Sequence, residues 1–370
     1  MHPLRVLHVV FSLEAGGMEN GIVNVSAALS PAEFEIHVCC LAFAGVFAER
    51  FSSPGHVHVL GKKDGLSLAT IAGLSRHIRQ LSPDVIHTHN LGPLIYTLLG
   101  SPSAGSRILH GEHAELTPIE LAPHRRLIRR LLYSRVRRVH TVSQSLRESL
   151  VHRGFPGGKI DVIVNGVDTS RFQPGSKDEA RREIGLPLDA TLLGLVGRFG
   201  AFKRHADLIE AFEQLAPAHP TLALVFAGGE GPLEETVRRR AAASPFASRI
   251  HFSGFQADPR PWYRALDLLV LPSVNEGLSN ALIEAMASGI PALGHTACGN
   301  VDVIRDSVNG FLRDLSTPSL LGTALAGILA VRHTLPALGQ EARSTIQRQF
   351  AFASMVAGYE RLYRETASPG

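Results

Sequence analysis

The 370-residue chain has only three cysteines, five lysines and one tryptophan. Three cysteines (Cys39, Cys40 and Cys298) cannot build a disulfide framework for a chain this long, which favours a reducing compartment. The longest apolar run, residues 38–48, is about half of the ~20 residues that a membrane-spanning helix needs. The first residues lead directly into a strand pattern, without the charged region and small-residue cleavage site of a secretion signal. We therefore expect a cytoplasmic protein.

Neither sign of charge dominates, because 37 basic residues stand against 33 acidic ones, a net charge of +4. This balance favours anionic substrates or an anionic membrane surface and is too small to indicate nucleic acid. A hydrophobic content of 45% excludes an intrinsically disordered chain. The sequence contains no C-x-x-C motif, no Cys/His cluster with zinc spacing and no D-x-D motif, so we expect no metal site.

Apolar runs of strand length alternate with helical patterns along the whole chain, which predicts βαβ units and parallel sheets. The predicted strands cover residues 5–10, 35–41, 84–89, 107–113, 138–143, 161–165, 191–197, 221–228, 249–254, 266–273, 290–295 and 310–314. Each half opens with an apolar strand, a glycine-bearing loop and a helix, and a polar, turn-rich join lies at 164–178. We expect an α/β protein with two facing, Rossmann-like, doubly wound domains, whose cleft binds ligand at the carboxyl ends of the strands.

Two glutamates with seven residues between them, Glu276 and Glu284, follow a predicted strand. A helix that starts near Ser279 would direct the amides of residues 278–280 towards a phosphate. The two carboxylates could then accept hydrogen bonds from a sugar near Glu276 and a ribose near Glu284. The alternative is that both glutamates are solvated helix charges.

A second cluster lies in the loop after the first strand of the second half, where Arg198 and Lys203 could neutralise a diphosphate. Loop charges of this kind are also common on ordinary surfaces. Gly228, Gly229 and Gly231 follow the next strand and permit close backbone approach, although glycine turns after strands are frequent in any structure.

Taken together, these motifs resemble glycosyltransferase family 4, the retaining GT-B sugar transferases. The segments that carry the resemblance are AGGMEN (15–20), TVS (141–143), NGVDTSRF (165–172), GRFGAFKRHADLIEAF (197–212), GGEGP (228–232), FSGF (252–255), Asp267 and EGLSNALIE (276–284). The opening LRVLHVVFSLEAGGMENGIVNV is similar to sugar transferases of bacterial exopolysaccharide clusters.

The resemblance implies an acceptor-side domain at 1–170, to which a terminal helix at about 350–368 crosses back, and a donor domain at 171–349. It implies that Arg198 and Lys203 hold the donor diphosphate, that Glu276 faces the donor sugar and that Glu284 faces the ribose. It also implies that the amides of Leu278, Ser279 and Asn280 contact phosphate. Gly16 and Gly17 would let their loop approach the donor phosphate and the acceptor, and Gly254 and Phe255 would lie near the nucleobase.

The family's active-site histidine matches His113 in HGEHAE, where Gly111 replaces the threonine of the family's T-x-H pattern. His110 is a nearby competitor, and His87 and His89 end another strand. The resemblance further implies transfer with retention, in which the donor phosphate takes the acceptor proton and no metal is required. The acceptor is expected to be a saccharide or a lipid-linked saccharide.

A basic run at 122–140 holds seven arginines. Arg125, Arg126, Arg129 and Arg130 would form one helical stripe alongside Leu127, Ile128, Leu131 and Leu132. The stripe is either a solvated face with extended arginines or a docking face for an anionic membrane.

Two other functions compete with sugar transfer to an acceptor. A sugar-nucleotide epimerase on the same fold would need proton-transfer carboxylates and no acceptor, and a non-catalytic binding protein would leave a nucleotide sugar unconverted. An NAD enzyme is disfavoured, because the first loop, residues 14–20, does not fit G-x-G-x-x-G.

Overall fold

The computed structural model describes residues 2–51, 54–229, 231–297 and 299–368, so Cys298 and Glu230 lie outside the described residues. The chain divides into two compact units. Unit 1 comprises the residues up to Asn165 together with those from Ala353 onward, and unit 2 is Gly166–Phe352. The division therefore falls within the polar segment 164–178.

Unit 1 is built on a seven-stranded sheet in the order β3-β2-β1-β4-β5-β6-β7, in which every paired strand is parallel to its neighbour. Its strands are β1 (Leu4–Val10), β2 (Phe34–Cys40), β3 (Val57–Val59), β4 (Val85–His89), β5 (Ile108–Glu112), β6 (Arg138–Thr141) and β7 (Ile160–Val162). The helices between them are α1 (Gly17–Ala28), α2 (Leu68–Leu81), α3 (Leu91–Gly100), α4 (Pro123–Arg135) and α5 (Gln144–His152). The inner strands β4 and β5 are buried along their whole length, as expected for a parallel sheet covered on both faces.

Strand β3 is the one element of this sheet that the sequence pattern misses. It is only three residues long, lies at the sheet edge and is partly or fully exposed. Because a short edge strand buries neither face, its residues have no reason to form an apolar run.

Unit 2 is built on a six-stranded parallel sheet in the order β10-β9-β8-β11-β12-β13. Its strands are β8 (Thr191–Val196), β9 (Leu222–Ala227), β10 (Ile250–Phe252), β11 (Leu268–Leu271), β12 (Ala292–His295) and β13 (Gly310–Arg313). Its helices are α6 (Lys177–Ile184), α7 (His205–Leu215), α8 (Glu234–Ala242), α9 (Arg260–Ala265), α10 (Asn280–Ala287), α11 (Asn300–Val303), α12 (Pro318–Ala330) and α13 (Leu335–Gln349). The predicted class, α/β with two Rossmann-like parallel sheets, is confirmed.

The last helix, α14 (Phe352–Ala367), is amphipathic, and from Ala353 onward it belongs to unit 1. Its buried face carries Met355, Val356, Tyr359, Leu362 and Tyr363 at helical spacing, as the sequence predicts. Tyr363 contacts the Phe34 ring of β2, with 6.2 Å between the ring centroids, so the last helix packs against the first strands of the chain.

Within the described residues, no single helix is both long and apolar enough to cross a bilayer. The bent pair Pro318–Ala330 and Arg332–Gln349 meets the length and composition criteria only when both helices are taken together.

Candidate functional site

Each sheet has one place where the chain reverses the direction in which it adds strands. In unit 1 this place lies between β1 and β4, and in unit 2 it lies between β8 and β11. Open α/β sheets bind ligands outside the carboxyl ends of the strands at such switch points. Of the predicted donor-site residues, the loops after β8 and β11 carry Arg198, Lys203, Glu276, Leu278 and Ser279. The loop after β1 leads into Gly16 and Gly17, and the loop after β5 carries His113.

The unit 2 switch point is organised by an ion pair between Lys203 and Glu276, whose Nζ and Oε1 are in contact. Both side chains are largely buried, with exposed fractions of 9% and 15%. The two loops are also joined by a hydrogen bond from the Val274 amide to the Phe202 carbonyl, 3.2 Å long. The β8 and β11 loops are therefore locked together at the predicted diphosphate site.

Two polar atoms near this pair are buried without a hydrogen-bond partner among the described residues. One is the second carboxylate oxygen of Glu276, Oε2, and the other is the hydroxyl of Ser273. An unsatisfied buried acceptor costs about 1–3 kcal/mol, so such atoms commonly mark a place where a ligand supplies the partner. The sequence pattern points to Glu276 but not to Ser273, because an isolated serine after a strand does not indicate a binding site.

The helix that follows starts close to where the sequence predicts. Asn280 is its first residue, and Ser279 is the N-cap residue but makes no side-chain capping bond. Leu278 and Ser279 are buried, and the Ser279 carbonyl accepts from the amides of Leu282 and Ile283. The amino end of α10 thus lies in the loop that carries Glu276, with its positive dipole end on that side.

Glu284 lies one turn into α10, and its Oε2 accepts a hydrogen bond of 2.7 Å from the Tyr263 hydroxyl. Burial raises the pKa of Glu284, the Tyr263 hydrogen bond offsets part of this rise, and the resulting pKa is about 7. Glu284 is therefore not the solvated helix charge of the alternative interpretation. Tyr263, on α9, is buried and was not identified from the sequence.

The glycine loops pack against one another. A Cβ on Gly228, whose φ is +144°, would lie 2.3 Å from the Gly197 carbonyl oxygen, and one on Gly229 would lie 2.5 Å from the Phe255 amide nitrogen. Gly254, at φ +68°, forms a bridge to Gly228. The close approach that the sequence predicts is thus backbone to backbone between neighbouring loops.

Two predicted contact residues at this edge reach the surface. Arg198 is exposed in the loop after β8, and Phe255 keeps 47% of its surface accessible. Arg198 lies in the same loop as Lys203, and Phe255 follows the edge strand β10.

The unit 1 switch point contains a small cavity of about 20 Å³, room for a single water molecule. Gly17, the first residue of α1, lines it together with His113, and Gly16 is the N-cap residue of that helix. His87 and His89 also line this cavity, together with His8. Burial lowers the pKa of His113 to about 4, so its imidazole is neutral at physiological pH.

His110, the competitor of His113, lies elsewhere. It is fully buried and contacts the Thr88 hydroxyl at 2.9 Å and Glu112 Oε1 at 3.2 Å. Its side chain belongs to a buried polar cluster with Thr88 and Glu112, whereas His113 lines the cavity.

The predicted arginine stripe is wrong at one position, because Arg129 points inward. It is 1% exposed, pairs with Glu112 and contacts Glu120 at 2.7 Å. Tyr133 also donates a hydrogen bond to Glu112. Burial alone would raise the pKa of Glu112, but the His110 hydrogen bond and the Arg129 charge lower it to about 2. Arg129 is a structural residue that a buried carboxylate requires.

Two family models match the chain: Glycosyltransferase Family 4 over residues 15–171 and Glycosyl transferases group 1 over residues 176–345. The chain is 28% identical over 371 residues to D-inositol 3-phosphate glycosyltransferase 2 of Catenulispora acidiphila, a match that covers 91% of this chain and 87% of the relative. It is 29% identical to 2-deoxystreptamine N-acetyl-D-glucosaminyltransferase of Streptomyces fradiae, covering 83% and 78% of the two chains.

Among solved structures, the fold is similar to that of Anabaena Alr3699/HepE in complex with UDP-glucose, with a TM-score of 0.85 and 19% identity. The match covers 98% of this chain and 100% of that one. At this identity the likeness establishes a shared fold.

Proposed function

This chain is a GT-B glycosyltransferase of the family 4 type that uses a sugar nucleotide, and from that premise we propose that it transfers sugar from a UDP-sugar with retention of configuration. The acceptor is a saccharide or lipid-linked saccharide in polysaccharide biosynthesis. The UDP-glucose complex of the Anabaena protein supports the choice of base. The observation that carries the proposal is the buried, unpartnered Oε2 of Glu276 beside Lys203.

In this proposal the donor lies along the carboxyl ends of β8 and β11. Glu276 Oε2 accepts a hydrogen bond from a hydroxyl of the donor sugar, while Lys203 and Arg198 neutralise the diphosphate. The amides of Leu278, Ser279 and Asn280 add donors to phosphate at the positive end of α10. Glu284 accepts from the ribose hydroxyls, and Gly254 and Phe255 lie beside the base.

On the acceptor side, Gly16 and Gly17 let the loop after β1 approach the substrates, and His113 contacts a substrate hydroxyl. The departing diphosphate takes the acceptor proton. Because two cationic side chains and helix amides can carry its charge, we propose that transfer needs no metal ion.

The function is tested by thermal-shift titration with UDP, GDP and ADP in the presence of EDTA, followed by product analysis. UDP at 100 times its Kd should stabilise the protein by about 2.7 kcal/mol.

UDP-sugar plus a saccharide acceptor should yield a glycoside with retained configuration. A new sugar nucleotide formed from donor alone would indicate an epimerase, and unconverted donor a binding protein. A requirement for added magnesium or manganese would contradict metal-free transfer.

Affinity for UDP-glucose is expected to rise with pH through the pKa of Glu284. The ionised carboxylate is the stronger acceptor for the ribose hydroxyls, and the ionised fraction rises about tenfold between pH 6 and 8 for a pKa of about 7. Isothermal titration should therefore give a Kd up to about tenfold lower at pH 8. Glu284→Gln should bind weakly and with a pH-independent Kd. A flat wild-type profile would exclude this role.

We further propose that the protein acts in the cytoplasm and docks on an anionic membrane through α4. The docking face consists of Arg125, Arg126 and Arg130 with Leu127, Ile128 and Leu131, all exposed. The three apolar side chains are 59%, 49% and 59% exposed, so the helix presents both charge and hydrophobic surface.

Replacing Arg125, Arg126 and Arg130 with glutamine should weaken binding to anionic vesicles about a hundredfold, since each arginine contributes about 1 kcal/mol near such a surface. The matched control replaces three exposed arginines of unit 2, Arg182, Arg239 and Arg348, and should bind like wild type. Vesicle co-sedimentation at low salt measures both. Equal wild-type binding to neutral and anionic vesicles would show a solvated face.

A further inference from the structure

Six side chains in the interior of unit 1 are joined end to end by five hydrogen bonds, an arrangement termed here the imidazole chain. In order, they are His140, His87, Tyr363, His8, His89 and His113. The links measure 2.8, 3.0, 3.3, 2.9 and 3.0 Å. The members come from β6, β4, α14, β1 and the loop after β5, so only the folded unit assembles the chain.

The chain is electrically neutral at physiological pH. The first five members are almost completely buried, with exposed fractions of 0–2%. Desolvation lowers the pKa of His8 to about 3 and holds those of His87, His89 and His140 well below 6.5. Burial raises the pKa of Tyr363 well above 10, so its hydroxyl keeps its proton.

Neutrality couples the tautomers of all five histidines. A neutral imidazole has one N–H donor and one lone-pair acceptor, and each imidazole inside the chain uses both ring nitrogens. The Tyr363 hydroxyl contacts His87 Nδ1 and His8 Nε2, so it uses its donor when it gives to one of them and accepts from the other. The donors of all five hydrogen bonds therefore point the same way along the chain, either towards His113 or towards His140.

The two directions are not equivalent, because they leave different groups at His140 Nδ1. That atom is buried and has no hydrogen-bond partner among the described residues. One direction places an N–H there and the other a lone pair, so the same buried surroundings give the two directions different free energies. The far end of the chain thus distinguishes the two tautomers of His113, whose Nε2 is bonded to His89 and whose Nδ1 is the ring nitrogen left for substrate.

We propose that the imidazole chain, with Tyr363 at its centre, holds His113 in one neutral tautomer and one ring orientation, which makes Tyr363 and His89 positioning residues for sugar transfer. The catalytic part of this proposal rests on the proposed function, because it assigns His113 to a substrate hydroxyl. The tautomer itself is a property of the free protein and can be measured without any substrate.

The test is Tyr363→Phe, which removes one hydroxyl and two links of the chain. In protein labelled with ¹⁵N-histidine at pH 7, wild-type His113 should show one protonated and one unprotonated ring nitrogen, assigned by loss of the signals in His113→Gln. In Tyr363→Phe, His8, His89 and His113 remain linked to one another but are no longer linked to His140. The hydrogen bonds of these three rings can then point either way, so the two ¹⁵N shifts of His113 should converge. We expect kcat to fall about tenfold to a hundredfold, as for a misplaced active-site group, with KM for the donor within twofold.

The matched control is Tyr359→Phe. Tyr359 lines the same cavity, and its ring lies 5.7 Å from that of His87, but its hydroxyl makes none of the five links. It should leave the His113 shifts and kcat at wild-type values. His8→Phe, whose ring has no nitrogen and therefore breaks the links to Tyr363 and His89, repeats the test if Tyr363→Phe does not fold.

Averaged ring shifts for His113 in the wild type, or unchanged shifts or kcat in the folded Tyr363→Phe variant, would overturn the proposal. If the protein transfers no sugar at all, the proposed function fails while the NMR result still decides whether the chain fixes the tautomer.

Discussion

Lys203→Ala is expected to lower kcat by about a hundredfold to a thousandfold while changing KM much less. Removing one preorganised charge from a site where negative charge develops commonly has an effect of this size. Lys203 is buried beside the proposed diphosphate, so its charge acts with little solvent screening, and the charge on the leaving group grows in the transition state. Steady-state kinetics with UDP-sugar and a saccharide acceptor measure both constants.

Glu276→Ala should be equally inactive for a different reason, because it removes the acceptor for the donor-sugar hydroxyl. Each single variant leaves the other member of the pair buried without its partner, so both should be less stable than the double variant Lys203→Ala/Glu276→Ala. The double variant should remain inactive. Lys177→Ala is a suitable control, since it breaks the more exposed Lys177–Asp267 pair of the same unit. A kcat near the wild-type value in Lys203→Ala or Glu276→Ala would contradict the donor-site assignment.

Arg129→Gln is expected to lower the free energy of unfolding by about 3–5 kcal/mol, the usual loss when one partner of a buried ion pair is removed. Glu112 would then be left buried beside Tyr133, without the cation that stabilises its charge. Arg130→Gln, one residue away, removes the same charge from an exposed position and should change stability by no more than about 0.5 kcal/mol. Urea denaturation compares the two variants. Equal urea concentrations at the unfolding midpoint would show that Arg129 does not stabilise the fold.

The elements that bury a face were visible in the sequence. The alternation of apolar runs and helical patterns predicts twelve of the thirteen strands found in the described residues, and the stripe in α14 predicts its buried side. The exposed edge strand β3 leaves no such pattern. Periodicity reports burial, and a three-residue edge strand has little of it.

The candidate site was visible only in part. The positions of Lys203 and Glu276 follow from motifs, but their ion pair joins residues 73 apart and depends on β8 lying next to β11. Arg129 could not be separated from Arg125, Arg126 and Arg130, because its partner Glu112 lies on β5 and helical spacing says nothing about it. The imidazole chain cannot be predicted from the sequence either, because its members lie up to 355 residues apart and only the fold brings them together.

The discontinuity of unit 1 has a consequence for its synthesis on the ribosome. Domains generally fold as units while the chain emerges, the N-terminal one first. Here α14, whose Tyr363 bonds to β1 and β4 side chains, is synthesised only after the whole of unit 2. Unit 2 can complete its fold before unit 1, although translation of unit 1 begins earlier. The nascent protein must therefore hold the unit 1 sheet without α14 while the whole of unit 2 is synthesised, and chaperones would be needed most during this interval.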